Sequence, residues 1–311
     1  MLWLTGGPGC SALSGLVFEI GPLGFKHEEY NGSLPNLFLR PHSWTKVSSI
    51  IFVDLPVSTG FTYATTKSAT QRSDSTLVLQ VHQFLRKWLI DHPKFLTNEV
   101  YIGGDSYSGI PVPAVVQEIS RGNQKGVQPW INLQGYLLGN ALTTRREENY
   151  QIPFSHGMAL ISDELYETYV YFLCGFWAND DNVRSALHIR KGSIGKWRRC
   201  TLDIPHDMDI PESYGYHVNL SRKGYRSLIY SGDHDMKIAF LATQAWIRSL
   251  NYSIVDDWRQ WYTDGQVAGY TRTYSNRMTF ATVKGGSHIA PESNPKECFA
   301  MFSRWLSKKP L

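Results

Sequence analysis

Short apolar runs and longer amphipathic stretches alternate along this chain. Residues 47–53 (VSSIIFV) read as a buried strand closed by Asp54-Leu55-Pro56. From Asp74 to His92, Leu77, Val81, Phe84, Leu85, Trp88 and Leu89 recur at helical spacing, and Pro93 ends the helix. Val100-Tyr101-Ile102 predicts a short strand, followed by the small-residue turn 103–109 and a helix through Ala114 to Ile119. Ile131 to Leu138 predicts the next strand. The second half keeps the rhythm: a strand at 227–230, a helix over 238–250, a hairpin (258–262 with 270–274, turning at Asp264-Gly265), a strand at 279–283 and a helix over 295–306. Strands alternating with helices imply right-handed crossovers and a mostly parallel sheet, an α/β fold. Residues around 143–223 are the least regular, so a cap or inserted subdomain is expected there.

Three strand ends carry chemistry. Gly104-Asp105-Ser106-Tyr107-Ser108-Gly109 follows a strand and precedes a helix, which pushes Ser106 out on a sharp bend. The second glycine comes one place later than in the G-x-S-x-G elbow. Two later strands end at Gly232-Asp233-His234-Asp235 and Gly286-Ser287-His288. Ser, Asp and His thus occur in the chain order of α/β-hydrolases. A serine hydroxyl needs a base to take its proton. His288 would do so and later return it, and a buried carboxylate would fix the imidazole tautomer. Asp235 is preferred over Asp233 because it lies farther into the loop. Acyl transfer also needs oxyanion donors. Thr5-Gly6-Gly7-Pro8-Gly9-Cys10, after the apolar Leu2-Trp3-Leu4, offers the Gly7 N–H beside that of Tyr107. A phosphate-cradling loop is disfavoured, because the Walker Lys-Ser/Thr is missing and Pro8 removes a donor.

Composition narrows this further. The chain has 311 residues, 42% hydrophobic and 19% charged, so a folded chain is expected rather than disorder. A net charge of +4 without basic tracts argues against nucleic acid, and no run is long enough to span a membrane. Aromatics make up 13%, read mainly as core and secondarily as a ring-lined cleft. The 4 cysteines show no C-x-x-C spacing, which gives no support to a metal site. Sequons at Asn31, Asn219 and Asn251 are candidate glycosylation positions and point to the secretory route, yet the opening MLWLTGGPGC has no signal-peptide form.

The segments TGGPGCS (5–11), PVSTGFTY (56–63), GGDSYSG (103–109), INLQGYLLGN (131–140), IYSGDHD (229–235) and VKGGSHIAPE (283–292) together resemble the serine carboxypeptidase family. The resemblance implies an α/β-hydrolase fold over 1–311, an acyl-enzyme mechanism, no cofactor, and a secretory or vacuolar location. It maps a triad onto Ser106, Asp235 and His288, an oxyanion hole onto Gly7 and Tyr107, and a disulfide onto Cys10 and Cys200. It assigns substrate contacts to Thr5, Gly6 and Asp105. Family carboxypeptidases usually carry Asn at the position of Thr5 and Glu at that of Asp105, groups that grip a terminal carboxylate at acid pH. The Thr and Asp found here instead resemble the plant acyltransferases of the family, which move an acyl group from a 1-O-glucose ester to an alcohol. Partners would then be a small acyl donor and acceptor, or a peptide C-terminus in the carboxypeptidase alternative.

The sequence also departs from the family. Met1 lies only a few residues before the glycine turn, and Glu167-Thr168-Tyr169 runs almost at once to Trp177, so the early strands and most of a helical insertion are expected to be missing. Residues 143–223 would be the remnant of that cap. An inactive truncated relative with an exposed sheet edge is the third reading. Cys174 is expected to lack a partner and Cys298 to be free. Lys237, Ala239 and Ser287 differ from family residues near the triad.

Overall fold

The computed structural model describes residues 1–26, 28, 32–66, 70, 72–144, 174–200 and 205–311. Among the described residues there are ten strands: β1 (Leu2–Leu4), β2 (Leu23–Phe25), β3 (Leu37–Leu39), β4 (Ile51–Phe52), β5 (Val100–Asp105), β6 (Leu133–Gly139), β7 (Arg226–Gly232), β8 (Ile254–Thr263), β9 (Gln266–Tyr274) and β10 (Met278–Val283). Eight form one sheet in the order β4-β1-β5-β6-β7-β10-β9-β8. From β4 to β10 the pairs are parallel, and β9 and β8 add an antiparallel edge. The order of the parallel strands brings the ends of β1, β5, β6, β7 and β10 side by side, where an open α/β sheet places its ligand crevice.

Alternation along each strand sorts side chains onto two faces. Leu2, Leu4, Ile102, Tyr136, Leu138, Ile229 and Phe280 join one core cluster with Leu77, Val81 and Leu85 of α1 (Asp74–Asp91) and Val112, Val116 and Ile119 of α2 (Pro111–Gln124). Trp3, Tyr101, Leu137, Leu228, Tyr230, Ala281 and Val283 face the other way, against Met301, Phe302 and Trp305 of the helix Pro295–Leu306. Trp44 stacks on Phe302 there, with ring centroids 4.2 Å apart. Trp3, Trp44, Trp197 and Trp261 are among the largest fully buried side chains, so these rings are core. A third cluster joins Leu13, Val17, Phe18 and Phe25 to Cys174, Trp177 and Trp197.

Local chemistry accounts for the element ends. Ser73 caps α1 by accepting the Thr76 amide at 3.1 Å, and the helix stops before Pro93. Asp264 and Gly265 both have positive φ, the turn geometry that matches the twist of a two-residue hairpin. The hairpin strands are longer than the sequence pattern indicates, at 254–263 and 266–274, the second ending at Tyr274 as expected. The predicted strand at 47–53 shrinks to Ile51–Phe52 because its partner β1 has three residues, leaving only Leu2↔Ile51 and Trp3↔Phe52 in register. Beside this short edge strand, Leu2, Trp3 and Leu4 are nevertheless buried.

Within the irregular region, residues 145–173 and 201–204 lie outside the described residues. Its end packs into the main body: Ile210 and Leu220 belong to the α1–α2 cluster, Leu220 from the helix Tyr214–Arg222.

Close backbone approach fixes the turn after β5. A Cβ on Gly109 would stand 2.2 Å from the Leu142 carbonyl oxygen and 2.8 Å from Ala141 Cβ. Backbone cannot yield as a side chain does, so Gly109→Ala should destabilise by about 1–3 kcal/mol in urea unfolding.

Candidate active site

Ser106 sits at the carboxyl end of β5 with φ +51, a left-handed conformation costly for a residue other than Gly and Asn. Neighbours without side chains make room for it. A Cβ on Gly104 would lie 2.5 Å from the Leu4 carbonyl oxygen, and one on Gly6 would lie 2.6 Å from Ser106 Cβ and 3.0 Å from the Tyr107 amide nitrogen. The glycine-rich turn after β1 therefore lies directly against Ser106.

His288 follows β10, and its Nδ1–H donates to Asp235 Oδ2 at 2.8 Å. That leaves Nε2 as acceptor for the Ser106 hydroxyl, at 2.9 Å. Asp235 is buried beyond β7 and takes two further donors: Asn140 Nδ2 at 2.7 Å on Oδ2 and the Lys237 amide at 2.7 Å on Oδ1. Asn140, at φ +44 after β6, uses its own Oδ1 to accept the Gly232 amide at 3.1 Å. Asp233 turns elsewhere, accepting the Gly285 amide at 2.6 Å. The departures noted in the sequence are absorbed: Lys237 supplies a backbone donor, and the Ser287 amide donates to Ser293 Oγ at 2.9 Å, away from the histidine ring. The sequence reading missed Asn140, although an Asn at the end of an apolar strand is a recognisable left-handed turn residue.

It also missed Glu19. This side chain ends a π-helical turn at Gly15–Glu19, an irregularity frequent at functional sites. Glu19 is buried and accepts the Trp3 indole N–H at 3.0 Å. Asp105, buried next to Ser106 in sequence, accepts the Gly6 amide at 3.0 Å. The two carboxyls act on each other. Burial, then the charge of Asp105, raises Glu19 well above the usual range; Arg199 and the Trp3 N–H oppose this. Burial raises Asp105 to about 6, against the charges of His288 and Arg199 and the Gly6 N–H. Both shifts favour protons held on this pair, with Glu19 the stronger holder. Glu19, Asp105, Asn140, Tyr230 and His288 line one small space. The Thr5 hydroxyl, at the exit of β1, is buried with no hydrogen-bond partner among the described residues.

The glycine turn is fastened from outside. Cys10 is disulfide-bonded to Cys200 across a sequence separation of 190, and the Ser11 amide donates to the Arg199 carbonyl at 2.7 Å. The half-buried Asp54 accepts Ser11 Oγ, the Ala12 amide and the Phe61 amide, each at 2.7 Å. Cys174 and Cys298 are free and buried. Of the sequons, Asn219 and Asn251 are exposed, Asn219 donating to Gln117 at 3.2 Å, and Asn31 lies outside the described residues. Among the described residues no helix is long and apolar enough to cross a membrane.

A serine, a histidine and an aspartate hydrogen-bonded in series at the carboxyl ends of a parallel sheet match the arrangement found in α/β-hydrolases. The chain belongs to the serine carboxypeptidase family, whose model matches residues 1–175 and 168–308. It is 50% identical to serine carboxypeptidase-like 7 of Arabidopsis thaliana, with 100% of this chain and 83% of that protein aligned. It is 52% identical to serine carboxypeptidase-like 1 of the same plant, over 100% of this chain and 82% of the relative. Its fold is similar to that of Kex1(delta)p, a prohormone-processing carboxypeptidase of Saccharomyces cerevisiae, with a TM-score of 0.85, 18% identity, and 99% and 82% of the two chains covered. Each alignment with the two plant relatives runs to 364 positions against 311 residues here, so the relatives carry positions this chain lacks. The two matched stretches of the family model meet at 168–175, where the sequence reading places the shortened insertion.

Two tests follow. Asp105 ordinarily titrates near 3.8 and is raised to about 6, so between those values the folded chain holds a proton the unfolded chain has lost. Its stabilising contribution is present below the unfolded value and is lost as pH rises through the folded one, a change of about 3 kcal/mol. Asp105→Asn should flatten that slope: relative to the parent protein, its urea stability should rise between pH 4 and 7. Replacing Cys10 and Cys200 together by Ala should lower urea stability by about 2–5 kcal/mol, because a long loop is released in the unfolded chain.

Proposed function

We propose that the protein is a serine carboxypeptidase-like acyltransferase, carrying acyl groups from 1-O-glucose esters to alcohol acceptors through an acyl-enzyme on Ser106. The observation that carries the acyl-enzyme is the hydrogen-bonded run from Ser106 Oγ through His288 to Asp235, at 2.9 and 2.8 Å. In the forward half-reaction Ser106 Oγ attacks the ester carbonyl while His288 Nε2 takes the hydroxyl proton. The oxyanion is received by the Gly7 and Tyr107 amides. Collapse releases the glucose oxygen, which takes the proton from His288. An acceptor alcohol then gives its proton to His288 as its oxygen attacks the acyl carbonyl, and Ser106 is restored. Thr5 and Asp105, in place of the family's usual Asn and Glu, support transfer over peptide hydrolysis. The plant relatives, the disulfide and the exposed sequons support a secreted or vacuolar location.

One observation favours a second reading, a carboxypeptidase working at acid pH. The Glu19–Asp105 pair retains protons, and protonated carboxyls beside the nucleophile can donate to a substrate carboxylate.

The contest is direct. Purified protein is given benzoyl or hydroxycinnamoyl glucose with an alcohol acceptor, and separately an N-blocked dipeptide near pH 5. Ester product is expected, and Ser106→Ala should reduce its formation by roughly 10³-fold or more. Rapid dipeptide hydrolysis without ester transfer would replace the first reading by the second.

A further inference from the structure

The residue after Ser106 is held by a second buried polar chain. The Tyr107 hydroxyl donates to Asp74 Oδ1 at 2.8 Å, and His206 Nε2 meets the same oxygen at 2.9 Å. Asp74 Oδ2 accepts the Ile210 amide at 3.3 Å. Asp74 is 0% exposed, Tyr107 6%, and the His206 side chain 3%. The segment bearing His206 is clasped to the start of α1: the Asp74 amide donates to the Asp207 carbonyl at 3.1 Å, the Asp207 amide to the Arg72 carbonyl at 2.8 Å, and the Ser75 amide to Asp209 Oδ1 at 2.9 Å. The Tyr107 and His206 rings meet edge to face, 6.4 Å between centroids.

Packing alone does not ask for this chemistry. A phenylalanine would fill the ring volume of Tyr107, and a buried carboxylate is costly unless its partners are specific. Helix capping does not explain Asp74 either, because Ser73 already supplies the cap. The result is that the Tyr107 ring is anchored at its far end. Its near end is the peptide whose nitrogen lies close to Gly6, in a turn strained at Ser106.

We propose that Asp74 and His206 are positioning residues for the acyl-transfer reaction. Through the Tyr107 hydroxyl they hold the Ser106–Tyr107 peptide so that its N–H is aimed at the developing oxyanion. This rests on the acyl-enzyme reading above and adds to it a device that acts in the transition state and leaves ground-state binding alone.

The test is the rate of Ser106 phosphonylation by a fluorophosphonate, resolved into the limiting rate and the half-saturating concentration, on the full chain. Tyr107→Phe keeps the ring and the amide and removes only the anchor. Its limiting rate should fall about tenfold with half-saturation within about twofold, less than the loss of a whole oxyanion donor. His206→Leu should fall similarly, whereas His206→Gln, which can still donate to Asp74, should recover most of the rate. A Tyr107→Phe protein labelled as fast as its parent would overturn the proposal and leave the acyl-enzyme reading standing. So would a change confined to half-saturation, which would make the hydroxyl a ligand contact. An unlabelled parent protein would overturn the acyl-enzyme reading and this proposal with it.

Discussion

The carboxylate of Asp235 is the point on which the site turns. It is buried at the end of one strand, and its donors come from the ends of two others and from its own loop. Such a group is tolerable inside a protein only when its lone pairs are met. Meeting them requires Asn140 in a left-handed turn, His288 with its Nδ1–H inward, and the Lys237 amide at the start of the next segment. Each requirement sets a neighbouring strand end. The tautomer of His288 follows, and with it the acceptor offered to Ser106. The parallel register places these ends side by side: Asp105 is level with Gly139, Gly139 with Tyr230, and Gly232 with Val283.

A few residues away, carboxyls meet the opposite conditions. Asp235 is surrounded by donors, whereas Glu19 and Asp105 share a buried space with each other. Burial, and for Glu19 the charge of Asp105 as well, makes ionisation costly, so the pair keeps protons into a range where isolated acids have lost them. One site therefore holds a carboxylate positioned to orient an imidazole and a carboxyl pair able to donate. Environment separates these roles, because the side chains are of the same kind.

Much of this was legible in the sequence because it is local. A strand running into Gly-Asp-Ser-Tyr-Ser-Gly announces its turn, and Asp264-Gly265 announces its hairpin. Asp235 and Asp233 are two residues apart, and only the path of the loop decides which meets His288 and which meets the Gly285 amide. Glu19 was illegible for a different reason. It stands in an apolar run that reads as core, and its partner lies far along the chain. Asp74 stands in the first turn of a helix, where an acid needs no further explanation, and His206 lies in the least regular region. Their meeting depends on how distant segments pack, which periodicity does not encode. The strand at 47–53 was overestimated because its apolar run continues beyond the residues that its three-residue partner can pair.

The irregular region is thereby tied to the chemistry at defined points. Cys200 grips the glycine turn through Cys10, and six residues later His206 reaches Asp74 and, through it, Tyr107. These attachments flank Ser106, one on the side of Gly7 and one on the side of Tyr107. Upstream, Trp177 and Trp197 bury against Leu13, Val17 and Phe18, which follow the same glycine turn. Chain between fixed points can change length at small entropic cost, since closure entropy grows only with the logarithm of loop length. A shortened insertion near 168–175 is therefore compatible with an intact site, because the anchors that hold the glycine turn and the serine turn together lie downstream of it.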